Sequence, residues 1–162
     1  MRTIALIPAY EPDEKMLHLL SELKMSGFDI VVVDDGSGFE FSDIFNEAKN
    51  YSKVIAYSTN KGKGYALKTG LAYIKEAFPS DSVIVTLDAD GQHLPSDACK
   101  VCYKAYACKD TLVLGARTFK KDVPLRSRFG NRLTSAVFKL SAGTSVSDTQ
   151  TGLRAFSYER NP

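Results

Sequence analysis

No apolar stretch in this chain comes near the ~18 residues that a membrane-spanning helix needs, so none is expected within its 162 residues. Tryptophan is absent, and histidine is limited to His18 and His93. A zinc centre built from Cys and His is therefore short of ligands. Cysteine is also scarce. Cys99, Cys102 and Cys108 are an odd set without secretory features, which points to a reducing compartment rather than a disulfide framework. Cys99 and Cys102 have a C-x-x-C spacing. However, Ala98, Val101, Cys102, Ala105 and Cys108 share one helical face, where Cys packs as a small hydrophobe. Neither sign of charge dominates: the net charge is +2, which by itself neither favours nor excludes nucleic acid. No nucleic-acid partner is expected. Met1-Arg2-Thr3 leads straight into a strand-like run, so no signal peptide is expected.

What is present is an alternating pattern. Thr3–Pro8, Asp29–Val33, Lys53–Tyr57, Val83–Leu87 and Thr111–Leu114 read as strands, short and rich in β-branched residues. The second is uniformly apolar after Asp29, as in a parallel sheet covered on both faces. Between them, Glu11–Ser26, Phe41–Asn50, Lys63–Phe78 and Ser96–Cys108 read as helices, and Leu125–Leu140 follows the fifth strand. Pro12 suits a first helical turn, Gly27 a helix end and Pro79 a stop. A last strand-like run covers Leu153–Phe156. The pattern predicts a single α/β domain: an open, mostly parallel, Rossmann-like sheet with helices on both faces. Such sheets bind ligands beyond the carboxyl ends of their strands.

Those ends carry the unusual residues. Strand one ends in Pro8-Ala9-Tyr10-Glu11, and strand two in Asp34-Asp35-Gly36-Ser37. Asn60-Lys61-Gly62-Lys63-Gly64 follows strand three, Asp88-Ala89-Asp90 follows strand four, and Gly115-Ala116-Arg117 follows strand five. A lone Asp-x-Asp is more often a solvated turn than a site. Polar turns in general account for Gly, Ser and Asn here, but not easily for acid pairs after two different strands. Residues i and i+2 of a strand point the same way, so Asp88 and Asp90 offer hard oxygens to Mg²⁺ or Mn²⁺. Asp34 and Asp35 can accept from a uracil imide, a guanine edge or a ribose hydroxyl. The Gly62-Lys63-Gly64 loop opens a helix, whose N-terminus favours anions, although it matches neither a Walker A loop nor G-x-G-x-x-G. Arg117, Lys120, Lys121, Arg126, Arg128 and Arg132 form a cationic stretch suited either to solvent or to a phosphate.

Six segments in order, PAYE at 8–11, VVVDDGS at 31–37, NKGKGYALKTG at 60–70, LDADGQH at 87–93, GAR at 115–117 and DTQTGLRAF at 148–156, resemble the family 2 glycosyltransferases of GT-A fold. The resemblance is nearest to the branch that includes dolichyl-phosphate mannosyltransferase and the polyprenyl-phosphate sugar transferases, and it covers nearly the whole chain. It implies an inverting, metal-dependent hexosyltransferase moving a sugar from a UDP- or GDP-sugar to an acceptor. Carried over, Pro8, Ala9, Tyr10 and Glu11 would line the nucleotide pocket, with Asp35 or Asp34 at the base or ribose. Lys63 and Gly64 would lie near the nucleotide. Asp88 and Asp90 would hold Mg²⁺ or Mn²⁺, with Ala89 between them and Gln92 helping at that site. Asp148 and Gln150 would face the sugar or acceptor. Many members have Asn at the position of Glu11, and members usually continue past QTGLR, so residues 1–162 are expected to be one catalytic domain cut short on its C-terminal side.

A phosphate-monoester acceptor has a second pKa of about 6 and is already anionic at neutral pH. It needs cations to position it more than a base, a task that would fall to Arg117, Arg126 and Arg128. A polyprenyl or dolichyl phosphate is therefore the expected acceptor, with peripheral membrane contact at the cytoplasmic face. Three rivals fit less well. A sugar nucleotidyltransferase would carry a Gly-rich loop where PAYEP stands. A haloacid-dehalogenase-type phosphatase would continue LDADG with Thr or Val, not Gln92. A silent nucleotide-sugar-binding module would bind the donor without hydrolysing it.

Overall fold

The computed structural model describes residues 1–108, 110–115 and 152–158. Among these residues, six strands form one sheet in the order β3-β2-β1-β4-β6-β5. They are β1 (Arg2–Ala9), β2 (Asp29–Asp34), β3 (Lys53–Ala56), β4 (Ser82–Thr86), β5 (Val113–Leu114) and β6 (Arg154–Tyr158). The helices are α1 (Glu14–Met25), α2 (Ser42–Ala48), α3 (Lys63–Ala77) and α4 (Pro95–Ala107). β1 pairs in parallel with β2 and β4, and β2 with β3. β6 runs antiparallel between β4 and β5.

Strand alternation divides the core in two. Ala5, Ile7, Ile30, Val32, Val83 and Val85 point to the layer holding α1, α2 and α4, where Met16, Leu20, Leu23, Phe45, Ala98 and Cys102 are buried. Ile4, Leu6, Val31, Val33 and Ile84 point to the opposite layer, where α3 supplies Ala66 and Ile74. The chain winds from β1 to β3 across one face, then crosses back through α3 on the other to reach β4. The winding direction therefore reverses between β1 and β4, and a crevice is expected there.

Three expectations are adjusted. The first helix begins at Glu14, because the Asp13 carboxylate caps Lys15 N at 2.9 Å. Pro12 therefore precedes the cap and is buried. The second helix is shorter than expected and is led in by a 3-10 turn over Phe39–Phe41. The fifth strand is reduced to two residues at the sheet edge, because β6 takes the place beside β4. The expected helix at Leu125–Leu140 lies outside the described residues.

Candidate active site

The carboxyl ends of β1, β2 and β4 and the loop after β3 surround one cleft of about 450 Å³. Pro8 and Ala9 lie at its middle strand, continued by Tyr10, Glu11, Pro12 and Asp13. Asp35 enters from the β2 side. Asn60, Gly62 and Lys63 come from the loop leading into α3, and Asp88, Ala89 and Asp90 from the loop after β4.

Asp35 is only 3% exposed, and both its backbone and its side chain are tied down. Its N–H donates to Ala9 O at 2.8 Å. Its Oδ1 accepts from Tyr57 Oη at 2.5 Å and from Lys61 N at 2.9 Å. Among the described residues, Oδ2 takes no hydrogen bond. Burial and the neighbouring Asp35 carboxylate raise the Tyr57 hydroxyl far above its ordinary value, so it remains a donor. Gly36 allows this arrangement. Its φ is +72°, and a Cβ there would run into the backbone of Thr59 and Asn60, which pass directly over it. Asp34 has a different place. It is half-buried, and its Oδ1 accepts from Ser37 N at 2.9 Å, closing the turn rather than lining the cleft. Ser37 Oγ in turn accepts from Glu11 N at 2.9 Å. Glu11 sits at φ 48°, a region Asn enters more readily than Glu. The Glu11 carboxylate raises the Tyr10 hydroxyl above its ordinary value.

Asp88 lies at the β4 side of the cleft. His93 Nε2 stands 3.8 Å from its Oδ2, and Lys63 Nζ pairs with its Oδ1. His93 and then Lys63 hold the carboxyl at about 2, against the opposing effect of partial burial. The carboxylate also rests against Gly152, where any Cβ would overlap it. Gly152 is held by its own carbonyl, which accepts from Thr86 Oγ1 at 2.9 Å, so the start of β6 closes over the acid. Asp90 is exposed; its Oδ1 accepts from Gln92 N at 3.0 Å.

Pro8, Ala9, Tyr10, Glu11, Asp35, Lys63, Asp88, Ala89 and Asp90 thus share one wall system, as read from the strand ends. Gly64 does not; it is exposed in the first turn of α3, and Gly62 takes the place on the wall. Gln92 is exposed beyond the cleft, where its backbone completes the Asp90 turn. Arg117, Arg126, Arg128, Asp148 and Gln150 lie outside the described residues. The sequence places Asn60 in the loop after strand three and His93 in the LDADGQH segment without giving either a role, and gives no sign of Tyr57 as a partner of Asp35. The strand register puts Tyr57 there: Asp34 pairs with Ala56, which sets Asp35 beside Tyr57.

Residues 5–159 match the family model described as glycosyl transferase family 2. The chain belongs to that family. Two relatives of this family 2 chain indicate its branch. A UDP-N-acetylglucosamine–dolichyl-phosphate N-acetylglucosaminyltransferase of Methanococcus voltae is 35% identical, over 94% of this chain and 68% of its own length. An undecaprenyl-phosphate 4-deoxy-4-formamido-L-arabinose transferase of Enterobacter sp. (strain 638) is 28% identical, over 93% of this chain and 47% of its own. The chain therefore spans about half to two-thirds of the curated relatives it matches. Among solved structures, a mycobacterial protein superposes with a TM-score of 0.68 at 18% identity, covering 96% of this chain and 53% of that one, a likeness of fold. The mostly parallel sheet with helices on both faces is the expected GT-A arrangement.

Proposed function

We propose that this family 2 chain transfers a sugar, with inversion, from a UDP- or GDP-sugar to a polyprenyl or dolichyl phosphate at the cytoplasmic face of a membrane. One observation carries the reading. A single cleft has a fixed carboxylate with one free oxygen, Asp35, on its β2 side and the Asp88/Asp90 pair on its β4 side, with β1 between them. That spacing of groups suits a ligand with a nucleoside at one end and a diphosphate at the other. The names of the relatives, which act on dolichyl and undecaprenyl phosphates, support the acceptor class. Among the described residues no helix is long and apolar enough to cross a membrane, so contact with a lipid acceptor would be peripheral within that part of the chain.

The donor set fits Mg²⁺ or Mn²⁺. Asp88 and Asp90 present hard oxygens, and Asp88 remains ionised at any physiological pH. Among the described residues no group of three His, Cys, Asp or Glu is gathered for a metal. Asp88 and Asp90 would supply two ligands to such a cation, and substrate or water oxygens would supply the rest. When bound, the cation supplies charge neutralisation at the departing diphosphate. The chain's own residues do the rest. Asp35 holds the nucleoside, and Lys63 adds a positive charge on the diphosphate wall. Arg117, Arg126 and Arg128 would position an acceptor phosphate that is already an anion. Asp148 and Gln150 would face the sugar.

Thermal-shift titration with UDP- and GDP-sugars, with and without Mn²⁺, tests the donor, since a ligand of the folded state raises its apparent stability. Transfer of labelled sugar to dolichyl phosphate tests the acceptor. Stabilisation by one donor that depends on Mn²⁺ is expected. No shift with any donor would refute the reading. Donor binding without transfer or hydrolysis would leave a silent binding module.

A further inference from the structure

Asp35, at the end of β2, is held through its backbone by β1 and through its side chain by the segment after β3. β1 fixes its N–H through Ala9 O. The segment after β3 fixes one carboxylate oxygen through two donors, Tyr57 Oη at 2.5 Å and Lys61 N at 2.9 Å. Both bonds go to the same oxygen. A carboxylate rotates about its Cβ–Cγ bond and can swap its oxygens, and two converging donors oppose that rotation. The donor nearer to rigid structure is Tyr57, one residue beyond β3. Its ring is packed edge-on against Tyr65 at 5.4 Å between centroids. The Lys61 ammonium lies over both rings, at 5.5 Å from Tyr57 and 4.6 Å from Tyr65. These contacts fix the phenol without touching the cleft, since Tyr57 is absent from the cleft wall.

We infer that Tyr57 is a positioning residue for nucleoside recognition: its hydroxyl locks Asp35 so that Oδ2 alone faces the bound nucleoside. This rests on the donor reading of the cleft given above. A carboxylate with one oxygen committed and one free accepts a single, directed hydrogen bond from a base N–H or a ribose O–H. A freely rotating one would accept from many geometries and discriminate less. Tyr57 therefore acts on specificity through Asp35 and makes no contact with ligand.

The test is a double-mutant cycle on the whole chain with Y57F, D35N and the double variant, read by calorimetric titration of UDP, GDP and inorganic pyrophosphate in Mn²⁺. Y57F keeps the ring and its packing and removes one oxygen. A hydrogen bond to a charged group contributes enough that its loss should weaken the preferred nucleotide about tenfold. It should also narrow the ratio between UDP and GDP and leave pyrophosphate unchanged. In the D35N background the same change should have no further effect, because the cycle isolates the coupling of the two residues. Losses that simply add, or an equal weakening of pyrophosphate, would overturn the inference, since a general structural role would produce both. Wild-type binding of a nucleotide with Y57F unchanged would overturn this inference alone. No nucleotide binding by the wild-type chain would overturn the donor reading beneath it as well.

Discussion

Replacing Asp88 with Asn separates the stabilising role of this carboxylate from its proposed role in holding a cation. In the folded chain the carboxyl is held at about 2, compared with its ordinary 3.8. A difference of that size corresponds to about 2 kcal/mol of stability at neutral pH. Its Lys63 partner is half exposed, at 54% of the side chain, and solvent screening reduces an exposed pair to about 1 kcal/mol or less. Asn keeps an oxygen beside His93 and fits the space against Gly152, so no cavity or overlap is added. D88N should therefore lose about 1 kcal/mol in urea unfolding, or roughly 2–4 °C in Tm for a chain of this size. Binding should respond far more. Removing one charged partner from a buried or metal-bridged contact costs about 2 kcal/mol or more, so the Mn²⁺-dependent Kd for the nucleotide should rise at least about thirtyfold. Calorimetry with UDP and GDP, with and without Mn²⁺, reads this directly. Should D88N lose several kcal/mol of stability while its Mn²⁺-dependent binding survives, Asp88 would be a structural acid and the cation site would lie elsewhere.

Acid unfolding follows from the same carboxylate. A folded value below the unfolded one gives stability that is present above about pH 4 and is lost as pH falls toward 2; the stability gap between wild type and D88N in urea titrations should close over that range, and a gap that stays constant would contradict the assigned cause. G36A should lose about 1–2 kcal/mol from the left-handed backbone alone, with more from contact with Thr59 and Asn60, and should bind nucleotide more weakly as the Lys61 N–H is pushed from Asp35; unchanged urea unfolding would refute the close passage of that loop. Cys99 is exposed, whereas burial pushes the Cys102 thiol up to about 12. A maleimide should therefore label Cys99 in the native chain and Cys102 only on unfolding, and equal labelling rates would show that α4 is not seated as described.

Much of this architecture is legible in the sequence because parallel strands covered on both faces leave long apolar records. IALI and IVVV bury every side chain and could be read directly. The position of β6 could not. Its insertion between β4 and β5 depends on pairing between residues about 70 positions apart, such as Thr86 with Arg154, and no local pattern encodes which neighbour a short strand takes. The site shows the same division. The acids announce themselves, because acid pairs follow two different strands and parallel-sheet topology brings those strand ends to one edge. Asp34 and Asp35 are chemically identical in the sequence; only the register and the turn decide that one closes on Ser37 N while the other faces the cleft. His93 was hidden for the opposite reason. A histidine in a polar loop reads as solvated, and its burial beside Asp88 arises from how the loop after β4 folds back.

The location of the cleft is itself a consequence of chain order. Helices α1 and α4 lie on one face and α3 on the other, so the loops after β1 and β4 leave the sheet at the place where its winding reverses. A groove between two diverging loops exists there whatever residues fill it. What the sequence adds is polarity across that groove, with an acid pinned by neutral donors on the β2 side and an acid paired with Lys63 on the β4 side. In the proposed reading, a ligand with one end that donates hydrogen bonds and another that is anionic fits best with its donating end at Asp35 and its anionic end at Lys63 and a cation that Asp88 and Asp90 would hold. Reversal would set the anion against the Asp35 carboxylate, with no cation on the cleft wall beside it among the described residues except Lys63 on the far side. On that proposal, the direction in which a donor enters would be set at two strand ends, by Asp35 on one side and by Lys63 with the cation on the other, before any sugar contact is made.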